Sequence, residues 1–206
     1  MFNRLVASFL AGVARVITGA TATWIHCLPD TRQRVYFANH SSHLDFAVLW
    51  CVLPGQVRAV TRPVAAKDYW TCGKLRPYLA RDVFNSVLVE RQTASIEDRK
   101  RQIRVLLEGL GDRYSLILFP EGTRGTGEVI APFKSGLYYL ARQAPRVELV
   151  PVYLDNLNRI LPKGQFLPVP LLGRVLFGTP MQLGEGETKA EFLVRARGAV
   201  VALGEL

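Results

Sequence analysis

The chain has 206 residues, of which 49% are hydrophobic, and its 26 Lys and Arg outnumber its 17 Asp and Glu. That length fits one domain with a sizeable core and leaves little room for a second. The apolar content excludes global disorder. The net charge of +9 favours anionic lipid, nucleic acid or phosphorylated substrates without choosing among them. Cys27, Cys51 and Cys72 are odd in number and lack CxxC spacing. They argue against a disulfide framework or a zinc site and for reduced thiols in a cytosol-facing domain, and no other His and Cys cluster suggests a metal.

Residues 2–28 are apolar and rich in small side chains, with Arg15 as an interruption. No run reaches the roughly 18–20 apolar residues of a spanning helix. Phe2, Leu5, Val6, Phe9, Leu10, Val13, Ile17 and Ala20 follow helical spacing. The segment is expected to be an amphipathic helix lying in a membrane interface, with Arg4 and Arg15 near lipid phosphates. An ordinary core helix and a signal or spanning segment are the rival readings.

After Pro29 short strands and helices alternate. The pattern predicts strands over 34–38, 57–61, 86–90, 116–119, 149–154 and 174–177, the second stopping before Pro63. Helices are expected over 44–53, capped by Ser41 or Ser42, then over 68–80, 95–110, 134–143 and 188–203. Gly73 and Pro77 interrupt the second of these. Ile96, Ile103, Leu106, Leu107 and Leu110 form the apolar stripe of the third, with Glu97 and Arg101 as an i,i+4 pair and the charges of 99–104 on its wet face. The predicted fold is α/β, a mixed, largely parallel sheet flanked by helices. Residues 1–30 form the membrane-associating segment and 31–206 the domain.

Two motifs carry chemistry. Asn39-His40-Ser41-Ser42-His43-Leu44-Asp45 follows a strand end, where open α/β sheets place their ligands. Asp45, one turn into the helix, can accept a hydrogen bond from one His40 ring nitrogen and leave the other as a base. Capping and packing of the helix is the alternative role. Phe119-Pro120-Glu121-Gly122-Thr123-Arg124 also follows an apolar strand. Glu121 can accept from substrate hydroxyls or order the loop, Gly122 permits close backbone approach, and Arg124 can hold a phosphate in a bidentate fork. Arg91, Lys67 and Lys134 are further candidate anion ligands, the last at a helix start.

In these motifs the chain resembles the 1-acylglycerol-3-phosphate acyltransferase family of glycerolipid acyltransferases. Asn39–Asp45 matches Asn-His-x-Ser-x-x-Asp, and Phe119–Arg124 matches the family's third block throughout. Val87-Leu88-Val89-Glu90-Arg91 is similar to an apolar run ending in Asp-Arg, with Glu90 in place of Asp. Leu149-Val150-Pro151-Val152 is similar to the fourth block. Ala66-Lys67-Asp68 is similar to Ala-Lys-x-Glu. The resemblance implies transfer of an acyl group from acyl-CoA or acyl carrier protein, as co-substrate and with no cofactor, to the hydroxyl of a lysophospholipid. The foremost acceptor is 1-acylglycerol-3-phosphate, and the product phosphatidic acid. It implies His40 as general base, Asp45 as its orienter and no covalent acyl-enzyme. Arg91 and Arg124 would hold phosphate, joined by Lys67, Lys134 and the Gly122-Thr123 turn, while Glu121 would order the site and contact the glycerol. Glycerol-3-phosphate, a lysolipid with a head group or a lyso-amino-acid lipid are alternative acceptors. A non-catalytic basic module for anionic lipid is the alternative from another class. No RNA-binding or helix-turn-helix signature is present, so nucleic acid is not expected as a partner. The expected location is the cytosolic face of a membrane, peripheral or monotopic.

Overall fold

A computed structural model describes residues 2–42, 45–91, 95–155 and 173–206. Helix α1 (Phe2–Thr18) leads to strand β1 (Thr21–Trp24), and β2 (Arg34–Ala38) follows. Next come α2 (Asp45–Val52), α3 (Gly55–Ala59), β3 (Thr61–Ala66) and two single-turn helices, α4 (Lys67–Trp70) and α5 (Leu75–Tyr78). The latter continues into a π-helical turn at Leu79–Val83. Then come β4 (Val87–Val89), α6 (Ile96–Leu110), β5 (Ser115–Leu118), α7 (Gly136–Gln143), β6 (Glu148–Asp155), β7 (Arg174–Phe177) and the C-terminal helix α8 (Lys189–Leu203).

The strands make one sheet in the order β1-β7-β6-β2-β5-β3-β4. All pairs are parallel except β6 with β7, so the sheet is mixed and largely parallel, as the sequence leads one to expect. Central β2 is buried along its whole length. Val35 and Phe37 enter the core beneath α6, α7 and α8, while Tyr36 and Ala38 enter the core beneath α1, α2 and α3. An unbroken apolar run is what a strand covered on both faces requires. The chain leaves β2 through α2 on one face toward β3, and leaves β5 through α7 on the other face toward β6. The two strands are neighbours. Their carboxyl ends therefore flank a switch point, the position at which doubly covered sheets open a crevice.

Several local expectations change. Residues 21–24, read as part of the N-terminal segment, form edge strand β1 paired with β7, and Trp24 stacks on Phe177 with ring centroids 3.9 Å apart. The strand expected over 57–61 is instead α3 followed by β3, because Val57 reaches the core from a helix. Strand β3 runs through Pro63. It pairs with β5 over Thr61–Pro63 and with β4 over Val64–Ala66, so the missing N–H falls at the handover between neighbours. The helix expected over 68–80 is broken near Gly73, whose φ is +74°. Ile96 is the first residue of α6 and is 70% exposed, so it leaves the buried stripe. Glu97 pairs with Lys100 at 2.8 Å rather than with Arg101. Helix α7 begins at Gly136, two residues after Lys134.

Helix α1 is apolar on two faces. Val6, Leu10 and Ala14 pack on the core, whereas Phe2, Phe9 and Val16 are 72%, 70% and 84% exposed. Arg15 does not turn away from the protein. Its guanidinium donates to the Val52 carbonyl at 2.8 Å, at the end of α2, where a cation meets the negative end of the helix dipole. Among the described residues no helix is long and apolar enough to cross a membrane.

Helix α6 lies on β4 through Gly109. A Cβ there would sit 2.5 Å from Val87 Cγ2, and a β-branched side chain has little freedom to yield. Gly109→Ala is therefore expected to destabilise the fold by about 1 kcal/mol or more, overpacking outweighing the gain in helix propensity. Urea denaturation checks this, and a stabilised variant would contradict the packing described.

Candidate active site

His40 stands two residues beyond the end of β2, and Asp45 is the first residue of α2, not one turn into it. The two side chains meet: His40 Nδ1 lies 2.7 Å from Asp45 Oδ2. The same oxygen accepts the N–H groups of Ser41 at 2.6 Å and Ser42 at 2.8 Å. The expected cap thus works in reverse, since the helix residue's side chain ties down the serine amides. Asp45 is fully buried. With Nδ1 donating to it, Nε2 of His40 is left as an acceptor. The imidazole is 23% exposed and stacks on Phe119, with ring centroids 4.4 Å apart. One face is therefore packed while an edge stays reachable.

Asn39 fastens the end of β2. Its side-chain amide donates to the Leu154 carbonyl at 3.0 Å and accepts the Leu154 N–H at 2.8 Å, extending the β2–β6 ladder by a side chain. Phe119 and Asn39 belong to the sequence motifs, yet neither role is legible there. An aromatic beside a histidine and an amide beside a strand have many uses.

Glu121 is 4% exposed. One carboxylate oxygen accepts the His40 N–H at 2.6 Å and the other the Ala131 N–H at 2.9 Å. Of the two parts open to Glu121, this geometry supports ordering the loop. Burial raises its pKa, and the two backbone donors partly offset the rise. Gly122 N–H bonds back to the Phe119 carbonyl at 3.0 Å, closing a tight turn. Gly122 has φ +69°, and a Cβ there would meet Lys134 Nζ at 2.5 Å. Glycine is thus demanded by the left-handed backbone, and its missing side chain leaves room for the lysine to lie across the turn.

The cations fall into two groups. Gly125 N–H donates to the His40 carbonyl at 2.8 Å, which places Arg124 beside the His40 loop, and Lys134 crosses the same turn. Arg124 is half-buried, and has no ion pair with any described residue. Thr123 is exposed on the turn. Lys67 and Arg91 lie at the ends of β3 and β4. Lys67 Nζ is 3.0 Å from Glu90 Oε1, and Arg91 Nε is 3.3 Å from Asp68 Oδ2. The four cations, with His40 and Asp45, lie at the carboxyl edge of β2, β5, β3 and β4, which run in parallel. The arrangement offers a histidine base, its carboxylate orienter and a row of cations: it can deprotonate a hydroxyl on a molecule that also carries an anion.

Because the raised pKa of Glu121 lies above the ordinary 4.5, its folded form binds a proton more tightly than its unfolded form. Stability from this group is then greatest below 4.5 and is lost as pH rises through the raised value. Over that window the parent chain should lose stability relative to Glu121→Gln. Denaturation of both across pH 4 to about 7 checks the sign; a difference independent of pH would contradict it.

A model of the acyltransferase family matches residues 22–155. A 1-acyl-sn-glycerol-3-phosphate acyltransferase of Limnanthes douglasii is 31% identical over 78% of this chain and 58% of its own length. The human protein named 1-acyl-sn-glycerol-3-phosphate acyltransferase alpha is 30% identical over 72% of this chain and 48% of its own. The chain thus spans about half the length of these curated relatives. The crystal structure of the 1-acyl-sn-glycerophosphate (LPA) acyltransferase PlsC from Thermotoga maritima superposes with a TM-score of 0.76. It is 18% identical, and the match covers 98% of this chain and 80% of that one, so it shows the same fold. With β2 to β6, His40, Asp45 and the Glu121 loop all inside the matched span, the chain belongs to the acyltransferase family.

Proposed function

We propose that the chain transfers a fatty acyl group from an acyl thioester to the free hydroxyl of a lysophospholipid, foremost 1-acylglycerol-3-phosphate, giving phosphatidic acid. The observation that carries this reading is the His40–Asp45 pair, 2.7 Å apart, beside the Glu121–Arg124 turn in a chain related to proteins named for that reaction. His40 Nε2 takes the proton of the acceptor hydroxyl as its oxygen attacks the thioester carbonyl. Asp45 stabilises the imidazolium that forms. The tetrahedral adduct collapses by breaking the C–S bond, and His40 returns the proton to the leaving thiolate. A C–O bond replaces a C–S bond and no acyl-enzyme forms. Arg124 and Lys134, with Lys67 and Arg91 further along the sheet edge, hold the acceptor phosphate. Either acyl-CoA or acyl carrier protein can bring the thioester. A module that only binds anionic lipid has no use for a buried carboxylate orienting a histidine.

The exposed apolar face of α1 supports attachment to a membrane surface, from which a lysolipid must be drawn. Burying one such side chain contributes about 1.5–3 kcal/mol, and six of them, Phe2, Leu5, Phe9, Val13, Val16 and Ile17, stand outward. The attachment is peripheral or monotopic on the cytosolic leaflet, strengthened by anionic lipid through the +9 charge.

His40→Ala should lower turnover of lysophosphatidate by roughly 10²–10⁴-fold, the usual contribution of a general base, in a protein that still folds. Turnover near that of the parent would sink the assignment. Arg124→Lys should raise KM for the phosphorylated acceptor and leave the donor's little altered, since lysine lacks the bidentate fork; equal changes in both would contradict this placement. Phe9→Ser with Val16→Ser should weaken binding to anionic vesicles by tenfold or more on the order of that burial energy. Undiminished co-sedimentation would remove α1 as the anchor.

A further inference from the structure

The peptide unit joining Ile130 to Ala131 is held at both ends. Its carbonyl accepts a hydrogen bond from Arg197 Nε at 2.8 Å, and its N–H donates to Glu121 Oε2 at 2.9 Å. The other oxygen of Glu121 accepts the His40 N–H at 2.6 Å. Three hydrogen bonds in series thus run from α8 to the main chain of the base. The loop between them returns to the same residue, because Gly125 N–H donates to the His40 carbonyl.

Arg197 is well placed to act as the fixed end of this series. Helix α8 is seated by Phe192, Ala196 and Val200, all fully buried, and begins with a capping box formed by Thr188 and Glu191. The helix is therefore rigid where Arg197 leaves it. The side chain is half-buried, where a charge-assisted hydrogen bond to a carbonyl is stronger than in water. With Tyr153 and Val201 it lines a cleft of about 270 Å³ that reaches Asn39, His40 and Glu121. Arg195, two residues earlier, points elsewhere, forming an exposed pair with Glu187 at 2.6 Å. Arg197 also lies beyond residue 155, where the family match ends.

We propose that Arg197 is a positioning residue of the acyltransferase site: it clamps the Ile130–Ala131 peptide so that Glu121 keeps the His40 backbone in register with Asp45. The inference rests on the reading of His40 as the base. Small misplacements of a reacting group cost rate far more than binding, so the effect belongs in kcat.

The test uses the full chain with lysophosphatidate and acyl-CoA, and compares Arg197→Met, Arg197→Lys, Glu121→Gln, the Arg197→Met/Glu121→Gln double variant, and Arg195→Met as control. Arg197→Met is expected to lower kcat by about 10- to 100-fold with both KM values nearly unchanged. Arg197→Lys, whose ammonium can still reach the carbonyl, should recover most of the loss, and Arg195→Met should match the parent. In the Glu121→Gln background Arg197→Met should add little, since the two act in series. Should Arg197→Met fail to fold, Arg197→Gln, too short to reach Ile130, replaces it. A parental kcat in Arg197→Met beside an inactive His40→Ala overturns the proposal and leaves the His40 reading intact. Full additivity of the two substitutions overturns it as well. An active His40→Ala overturns the reading itself.

Discussion

Everything at this site depends on one buried carboxylate oxygen. Asp45 Oδ2 gathers the Ser41 and Ser42 amides and the His40 ring nitrogen within 2.8 Å. A carboxylate with no exposure is costly to bury unless donors surround it. The donors here are the backbone of the very turn that carries the base. Satisfying the charge and orienting the histidine are the same act. The turn cannot relax without exposing the charge to an unmatched apolar interior, and the histidine cannot rotate without removing one of the three donors.

Glu121 repeats the device one strand over. It too is buried and spends both oxygens on main-chain amides, those of His40 and Ala131. The loop after β2 and the loop after β5 are therefore sewn together by side chains beneath the surface, while the cations remain above it. The division is physically sensible. Both acids are desolvated and tied to main-chain amides, Asp45 through Oδ2 alone and Glu121 through both oxygens. The cations stay partly solvated, as Arg91 and Lys67 do with 49% and 55% of their side chains exposed.

The strands were legible wherever they are buried on both faces. Residues 34–38, 149–154 and 174–177 read as strands and form β2, β6 and β7 with at most one residue's difference at an end. The family blocks, being local, named His40, Asp45 and the Glu121–Arg124 turn from their order alone. What stayed hidden depended on neighbours distant in sequence. Thr21–Trp24 has only two half-buried residues and becomes a strand because β7 offers it an edge. The helical stripe of α1 gave no hint that it would be divided between a core face and an outward face. Arg15 looked like a lipid contact until the end of α2 appeared beside it. No spacing rule connects Arg197 with Ile130, 67 residues away, or gives Glu121 its partner at Ala131, since that partner is a backbone amide.

The central claim is that Asp45 holds His40 in the tautomer and orientation that leave Nε2 free to accept a proton. Turnover of Asp45→Asn, measured with lysophosphatidate and acyl-CoA at saturating concentrations, tests it most directly. Asparagine nearly preserves the shape but presents an amide that can face Nδ1 as a donor. The expected result is a fall in kcat of about 10³–10⁴-fold, the scale associated with a wrongly held imidazole, in a protein that remains folded. A folded variant whose kcat stays within a few-fold of the parent would contradict the account.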